Sequence, residues 1–193
     1  MFYINPPGGG GAYTGKISPA QIYALGVSYV ILGHSEQRAL GETSEMIQKK
    51  IKAALAYRLN VILCIGEKER DVRGHYLSVL KDEIKKSLGK IHSRDMRRLI
   101  IAYEPLWAIG AEAKRADTPD ALFEIVIFIR KVLSDIYNKT VAFQVPVLYG
   151  GSVNAENAEA FLRGSGINGF LVGRASLDSK EFGEILKTAQ RVR

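Results

Sequence analysis

A glutamate at the end of an apolar run is the most informative chemical feature of this sequence. The run at 99–102 predicts a buried strand, and Glu104 follows it, immediately before a proline that ends regular structure. A carboxylate at the carboxyl end of a buried strand lies where α/β proteins bind ligands, and it can act as a general base. The apolar segment 106–109 then predicts a lid, with Gly110 allowing close approach to a ligand. The alternative is a proline turn in which Trp107 only fills the core.

Three further strand ends carry residues that could contribute to a site. His34 could polarise a carbonyl oxygen, or could be a histidine that is simply satisfied at the end of its strand. The Gly-Gly-Ser segment ending at Ser152 precedes a predicted helix, so its amides could bind phosphate. It could equally form only a tight turn. Gly173, before Arg174, could serve only close packing.

The elements that would position these residues alternate along the chain. Apolar, β-rich runs predict strands at 28–32, 61–65, 99–102, 145–148 and 169–172. Helical spacing of apolar residues predicts helices at 19–25, 44–57, 74–88, 120–137, 154–163 and 180–191. The second of these helices is expected to turn Lys49, Lys50 and Lys52 outward, and Thr118 is the predicted cap of the fourth.

This alternation predicts an α/β fold with a parallel sheet that is buried by helices. Glycine-rich or polar residues follow the carboxyl ends of the strands and not their amino ends, which favours a (β/α) barrel over a doubly wound sheet. We expect one domain over residues 1–193, with residues 1–11 as a loose lead-in. The sequence has no internal repeat or break in composition that would mark a second domain.

The composition excludes several classes of protein. A single cysteine, Cys64, rules out an internal disulfide framework, and no apolar run is long enough to span a bilayer, so we expect a soluble, cytoplasmic protein without membrane partners. The net charge of +7 includes a basic patch around Arg94, but no aromatic residues interleave with it. We therefore expect attraction of a small anionic substrate and not nucleic acid. No metal-ligand cluster or nucleotide fingerprint is present, so no cofactor is expected.

Taken together and in order, five segments resemble the triosephosphate isomerase family. These segments are Gly33-His34-Ser35-Glu36, Cys64-Ile65-Gly66-Glu67, residues 102–110, residues 149–153 and residues 171–173. The earlier segment 11–15 is similar to the dimer-interface loop of that family. The resemblance extends from about Gly10 to the carboxyl terminus.

The resemblance implies a role for each candidate residue. Glu104 would be the base that moves a proton between adjacent carbons of a triose phosphate through an enediolate, and His34 would be a neutral electrophile at the substrate oxygens. Ile109 and Gly110 would lie in the closing lid, and the amides of Gly110, Ser152 and Gly173 would hold the phosphate. Cys64 and Glu36 would support the site, and in the family the counterpart of Glu36 pairs with a substrate-binding lysine.

The chain also departs from the family pattern. Closed barrels of this kind typically need roughly 250 residues, whereas 193 are present, so we expect about five strands in a partial, open TIM (β/α)8 barrel that lacks the first two to three βα units. No residue matches the family's lysine, because Lys16 lies in the interface loop. The lid tip at 111–115 is longer than usual. Arg174 replaces a family glycine, where a positive φ would be costly, although its guanidinium could add a phosphate contact.

Two consequences of this truncation are expected. Isomerase activity of this chain alone should be weak or absent, and the alternatives are a non-catalytic oligomeric phosphate-binding scaffold or one half of a split enzyme. Two exposed edge strands, 29–32 and 170–172, should promote assembly into a homo-oligomer. Alternatively, the segment Phe2-Tyr3-Ile4 could pair beside the first of these strands.

Overall fold

Five parallel strands in a single sheet form the framework of the protein. The computed structural model describes residues 14–108 and 117–192. Within these ranges the strands are β1 (Tyr29–Leu32), β2 (Asn60–Ile65), β3 (Leu99–Tyr103), β4 (Val147–Tyr149) and β5 (Gly169–Phe170). Each strand pairs in parallel with the next in the chain, so β1 and β5 are the edges. The expected open, five-stranded partial barrel is confirmed.

Helices connect these strands. The described residues form α1 (Pro19–Ala24), α2 (Ser35–Ala39), α3 (Ser44–Ala56), α4 (His75–Leu88), α5 (Pro119–Ile136), α6 (Lys139–Gln144), α7 (Ala158–Gly164) and α8 (Ser179–Val192). Short 3₁₀ helices occur at Ser93–Arg98, Leu106–Ala108 and Arg174–Leu177. The hydroxyl of Thr118 accepts a hydrogen bond from the Ala121 amide, which confirms the predicted cap of α5. None of the helices in the described ranges is long and apolar enough to cross a membrane.

The core lies on one face of the sheet. Alternate strand residues such as Val61, Leu63 and Ile101 are fully buried and share one apolar cluster with side chains of α3, α4 and α5. The opposite face carries the intervening residues, and at the β1 edge Tyr29 and Ile31 remain 53% and 50% exposed. The carboxyl ends of all five strands lie at one edge of this sheet.

Four details differ from the sequence prediction. Lys50 does not point outward but is buried, because it pairs with Glu42. α7, which follows β4, begins only at Ala158, because Asn154 and Asn157 each accept a hydrogen bond from the other's amide and form a turn first. β4 begins only at Val147, since α6 occupies the preceding segment up to Gln144. β5 ends at Phe170, two residues earlier than expected.

Candidate active site

Glu104 and His34 meet at the carboxyl edge of the sheet. Glu104 directly follows β3, and His34 follows β1 after the single residue Gly33. Their side chains face each other, with 3.2 Å between His34 Nε2 and Glu104 Oε1. The Glu104 side chain is 4% exposed and the His34 side chain 37% exposed. A buried carboxylate therefore lies beside an imidazole that solvent and a small ligand can reach.

The backbone around His34 selects one form of its imidazole. His34 is the capping residue of α2, and its Nδ1 accepts a hydrogen bond from the Glu36 amide at 3.4 Å. A ring nitrogen that accepts from an amide carries no hydrogen, so the proton of the neutral imidazole is on Nε2. Nε2 then donates toward Glu104. The Glu36 carboxylate itself is 84% exposed, with its Oε2 at 4.0 Å from His34 Nδ1.

Burial affects the acidity of Glu104. Its desolvation raises the pKa of the carboxyl group above the usual value, while His34, the Ser35 amide and the Cys64 thiol favour the charged form and oppose that rise. The Ser35 amide donates to Oε2 at 3.2 Å. A carboxylate with a raised pKa is a stronger base than an exposed glutamate, which suits proton abstraction from carbon.

Cys64 supports Glu104 from the adjoining strand. It is fully buried in β2, and its thiol forms a hydrogen bond with the Glu104 carboxylate. Burial and the neighbouring carboxylate raise the pKa of this thiol far above its usual value. Cys64 therefore stays protonated and serves as a donor and not as a nucleophile.

Two glycines allow the strand ends to approach Glu104. A Cβ on Gly66 would lie 1.8 Å from the Glu104 carbonyl oxygen, and a Cβ on Gly150 would lie 2.9 Å from Glu104 Cγ. A side chain at position 66 would therefore require the backbone to move, and one at position 150 would displace the Glu104 side chain. The glycines that the sequence placed after β2 and β4 thus make room for the catalytic candidate.

Arg38 is a site residue that sequence reasoning missed. Its guanidinium donates to the carbonyl oxygens of Gly33 and Cys64, at 2.9 and 3.2 Å, and forms an ion pair with Glu83 at 3.4 Å. Glu83 in turn accepts from the Gly66 amide at 3.0 Å. The pair connects the carboxyl ends of β1 and β2. In the sequence Arg38 lies four residues after the strand-end histidine, in a polar segment. An arginine in such a segment usually has a solvated side chain, so nothing singled it out.

Glu67 and Trp107 form a second missed network. Glu67 is 1% exposed, and its Oε1 accepts from the Tyr103 hydroxyl and from Trp107 Nε1, both at 2.8 Å. Trp107 is buried, as the alternative in which it fills the core requires. The Glu67 carboxylate therefore holds the chain just before the segment 109–116.

Three of the expected phosphate-binding residues, Ser152, Gly173 and Arg174, are described, and each follows the carboxyl end of a strand. Ser152 is exposed, and its hydroxyl donates to the Ala108 carbonyl oxygen at 2.7 Å, close to the Glu104 strand end. Since α7 begins only at Ala158, the amide of Ser152 does not lie at the amino terminus of that helix, contrary to expectation. Ile109, Gly110, the lid tip 111–115 and residues 11–13 of the interface loop lie outside the described residues.

Gly173 and Arg174 follow β5. Gly173 is exposed and caps the 3₁₀ helix Arg174–Leu177. The Arg174 side chain is exposed, and its φ is not positive, since Arg58 is the positive-φ residue other than glycine in the described ranges. The expected strain at Arg174 is therefore absent, because this chain turns there through a 3₁₀ helix that any residue can adopt.

Comparison with known proteins agrees with this geometry. The sequence model of the family described as triosephosphate isomerase matches residues 7–189. The triosephosphate isomerase of Dictyoglomus turgidum is 43% identical over 182 residues, which cover 92% of this chain and 72% of that protein. Those of Fusobacterium nucleatum and Dictyostelium discoideum are 45% and 42% identical and are covered over 70% and 69% of their lengths. The match thus takes in nearly all of this chain and about seven tenths of each relative. The chain belongs to the triosephosphate isomerase family.

Proposed function

We propose that this chain provides the proton-transfer half of a triosephosphate isomerase site, acting on glyceraldehyde 3-phosphate and dihydroxyacetone phosphate. The observation that carries the proposal is the 3.2 Å approach of His34 Nε2 to Glu104 Oε1 at the carboxyl edge of the sheet. Isomerisation needs a carboxylate near the carbon acid and an uncharged donor at the developing enediolate oxygen. Glu104 and His34 supply these two groups.

In the proposed reaction Glu104 removes a proton from one carbon of the substrate and returns it to the neighbouring carbon. His34 donates from Nε2 to the oxygen on which negative charge develops. That donor lies 3.2 Å from Glu104 Oε1, so a substrate oxygen would replace this contact. The amides of Gly110, Ser152 and Gly173 are proposed to hold the phosphate, with the Arg174 guanidinium as an added contact.

We further propose that a polypeptide of these 193 residues turns over substrate very slowly on its own. Among the described residues, Arg38 is an arginine whose charge favours the ionised form of Glu104, and its guanidinium is already engaged by Gly33, Cys64 and Glu83. It therefore cannot also neutralise a substrate oxygen. Losing one transition-state donor typically lowers the rate by roughly 10²–10³-fold, and losing a cation should cost at least as much.

The test is an isomerase assay of the 193-residue chain, alone and mixed with a separately prepared fragment that carries the amino-terminal βα units of a relative. We expect little turnover alone and a clear gain with the fragment, because the added strands would complete the site. Glu104→Gln should abolish the gain, whereas Glu69→Gln, at an exposed position, should retain it. Turnover of the chain alone within about tenfold of an ordinary family enzyme would contradict the proposal.

The same experiment separates a second candidate, a non-catalytic phosphate-binding scaffold. The exposed, unstrained position of Arg174 beside Gly173 favours anion binding even without chemistry. The scaffold would be supported if the chain binds inorganic phosphate, if Arg174→Ala loses that binding, and if no turnover is seen with or without the fragment.

A further inference from the structure

Glu42 and Lys50 form a buried ion pair that the proposed reaction does not use. Glu42 is 4% exposed and Lys50 is 3% exposed, and Lys50 Nζ contacts Glu42 Oε1. Burying two opposite charges is costly, and a hydrophobic pair of similar volume is often as stable. Stability alone therefore does not explain why these two charged residues are buried here.

The second oxygen of Glu42 reaches the site. Oε2 accepts a hydrogen bond from the Gly33 amide at 3.1 Å, and Gly33 is the residue between β1 and His34. Gly33 has a φ of +75°, a conformation that lets the chain turn sharply out of the strand. Its carbonyl oxygen is held from the other side by Arg38 Nε at 2.9 Å.

We propose that Glu42 is a positioning residue for His34. Lys50 fixes the Glu42 carboxylate, and the carboxylate fixes the Gly33 amide. Gly33, held at its amide by Glu42 and at its carbonyl oxygen by Arg38, then sets the direction in which the His34 imidazole leaves the strand. The held peptide keeps Nδ1 on the Glu36 amide and Nε2 on Glu104, the two groups between which the ring lies. This inference rests on the proposed function, in which His34 must present a hydrogen on Nε2.

Two double variants separate the hydrogen bond from the charge. Glu42→Gln with Lys50→Met removes both charges but keeps a side-chain oxygen that can accept from the Gly33 amide. Glu42→Leu with Lys50→Met also removes both charges but leaves the amide without an acceptor. The matched pair differs in the one contact that the proposal invokes.

The readout is the ¹⁵N spectrum of the histidine side chains, which distinguishes the Nδ1–H tautomer from the Nε2–H tautomer. The chain has three histidines, so His34→Gln assigns the His34 signals, while His75 and His92 serve as internal controls. We expect the unmodified protein and the glutamine double variant to show one Nε2–H tautomer at His34. The leucine double variant should lose that single tautomer and show both, with His75 and His92 unchanged.

Several results would overturn the proposal. If the folded leucine double variant keeps the His34 spectrum of the unmodified protein, or if both double variants change equally, the Glu42–Gly33 hydrogen bond does not position the ring. If the leucine variant does not fold, Glu42→Asp replaces it: the shorter carboxylate cannot reach both Lys50 and Gly33, and an unchanged spectrum would refute the role. Two tautomers already in the unmodified protein would refute the proposed function as well, so the two failures are distinguishable.

Discussion

Glu67 and Glu104 both follow neighbouring strands and are both buried, but their surroundings suit them to different tasks. Burial raises the pKa of each carboxyl group above the usual value. Glu104 faces an exposed imidazole, whereas Glu67 is enclosed and accepts two hydrogen bonds on Oε1 while its Oε2 has no hydrogen-bond partner. A charge held in this way costs stability at neutral pH.

Replacing Glu67 by glutamine should therefore stabilise the protein at pH 8. Because the folded-state pKa of Glu67 is above the unfolded value of about 4.3, the folded state binds the proton more tightly, and stability is lost as pH rises through the folded-state pKa. Glutamine keeps an oxygen for Tyr103 and Trp107 but carries no charge. Chemical denaturation at pH 8 should give Glu67→Gln the larger free energy of unfolding, by about 1.4 kcal/mol for each unit of pKa elevation that is removed.

This advantage of Glu67→Gln should vanish toward pH 4, where the carboxyl group of the unmodified protein is protonated. The matched control is Glu69→Gln, a substitution at an exposed position two residues along the chain, which should change stability by less than about 0.5 kcal/mol. A variant at position 67 that is less stable than the unmodified protein at pH 8 would show that the hydrogen bonds to the carboxylate outweigh its desolvation.

Two glycines with the same backbone angle allow backbone strain to be separated from steric overlap. Gly33 and Gly26 both have a φ of +75°, but a Cβ on Gly33 would lie 2.9 Å from Ile47 Cδ1, whereas nothing lies within 4 Å at Gly26. Gly26→Ala should cost about 1–2 kcal/mol from the positive φ alone. Gly33→Ala should cost a further 1–3 kcal/mol, roughly, from overpacking. Urea denaturation measures both losses in the free energy of unfolding. Equal losses for the two variants would mean that the structure around Gly33 adjusts to the added methyl group without a steric cost.

At the scale of elements, the helix that carries the chain away from the segment 109–116 depends on its first turn. The Thr118 hydroxyl accepts from the Ala121 amide at 3.2 Å, and Pro119 starts α5. Thr118→Ala leaves that amide without an acceptor, and we expect a loss of about 1 kcal/mol in the free energy of unfolding. Thr140→Ala, at an exposed position in α6, should change it by less than about 0.5 kcal/mol. Thermal and urea unfolding of both variants measure the difference.

The sheet and the long helices were predictable because their residues follow simple periodicities. The apolar runs that became β1, β2 and β3 were located to within a residue or two, and so were α3, α4 and α5. The short elements were harder to predict. α2 and α6 contain too few residues for a helical period to emerge, and α7 starts late because two asparagine side chains first close a turn.

The candidate site divides in a similar way. Glu104 and His34 could be named from the sequence because polar residues after apolar strands must meet at one edge of a parallel sheet. The Glu42–Lys50 pair and the Arg38–Glu83 pair could not be named, since helical spacing alone makes Lys50 and Arg38 look like solvated side chains. To predict such an ion pair, one must know which carboxylate lies next to each cation in the folded chain. The spacing of apolar residues along the sequence does not contain this information.

For the molecule as a whole, the exposed apolar edge at β1 is the feature from which we expect self-association. Ile31 and Tyr29 lie half exposed on the β1 edge. A separate groove of about 540 Å³ lies between Ile100 and Leu148 of the sheet and the end of α8. An unpaired apolar strand at a sheet edge is a template for association. We therefore propose that copies of the chain associate through this edge.

Ile31→Lys should shift this assembly toward the monomer, because burying a lysine at the contact would leave its charge without a partner. Sedimentation velocity and light scattering at micromolar concentration should show an oligomer for the unmodified protein and a smaller species for Ile31→Lys. Val79→Lys is the matched control, since Val79 is 46% exposed but lies on α4, on the helical side of the sheet. It should leave the assembly intact, and a comparable loss in both variants would place the contact elsewhere. A stable monomer of the unmodified protein under the same conditions would contradict association through this edge.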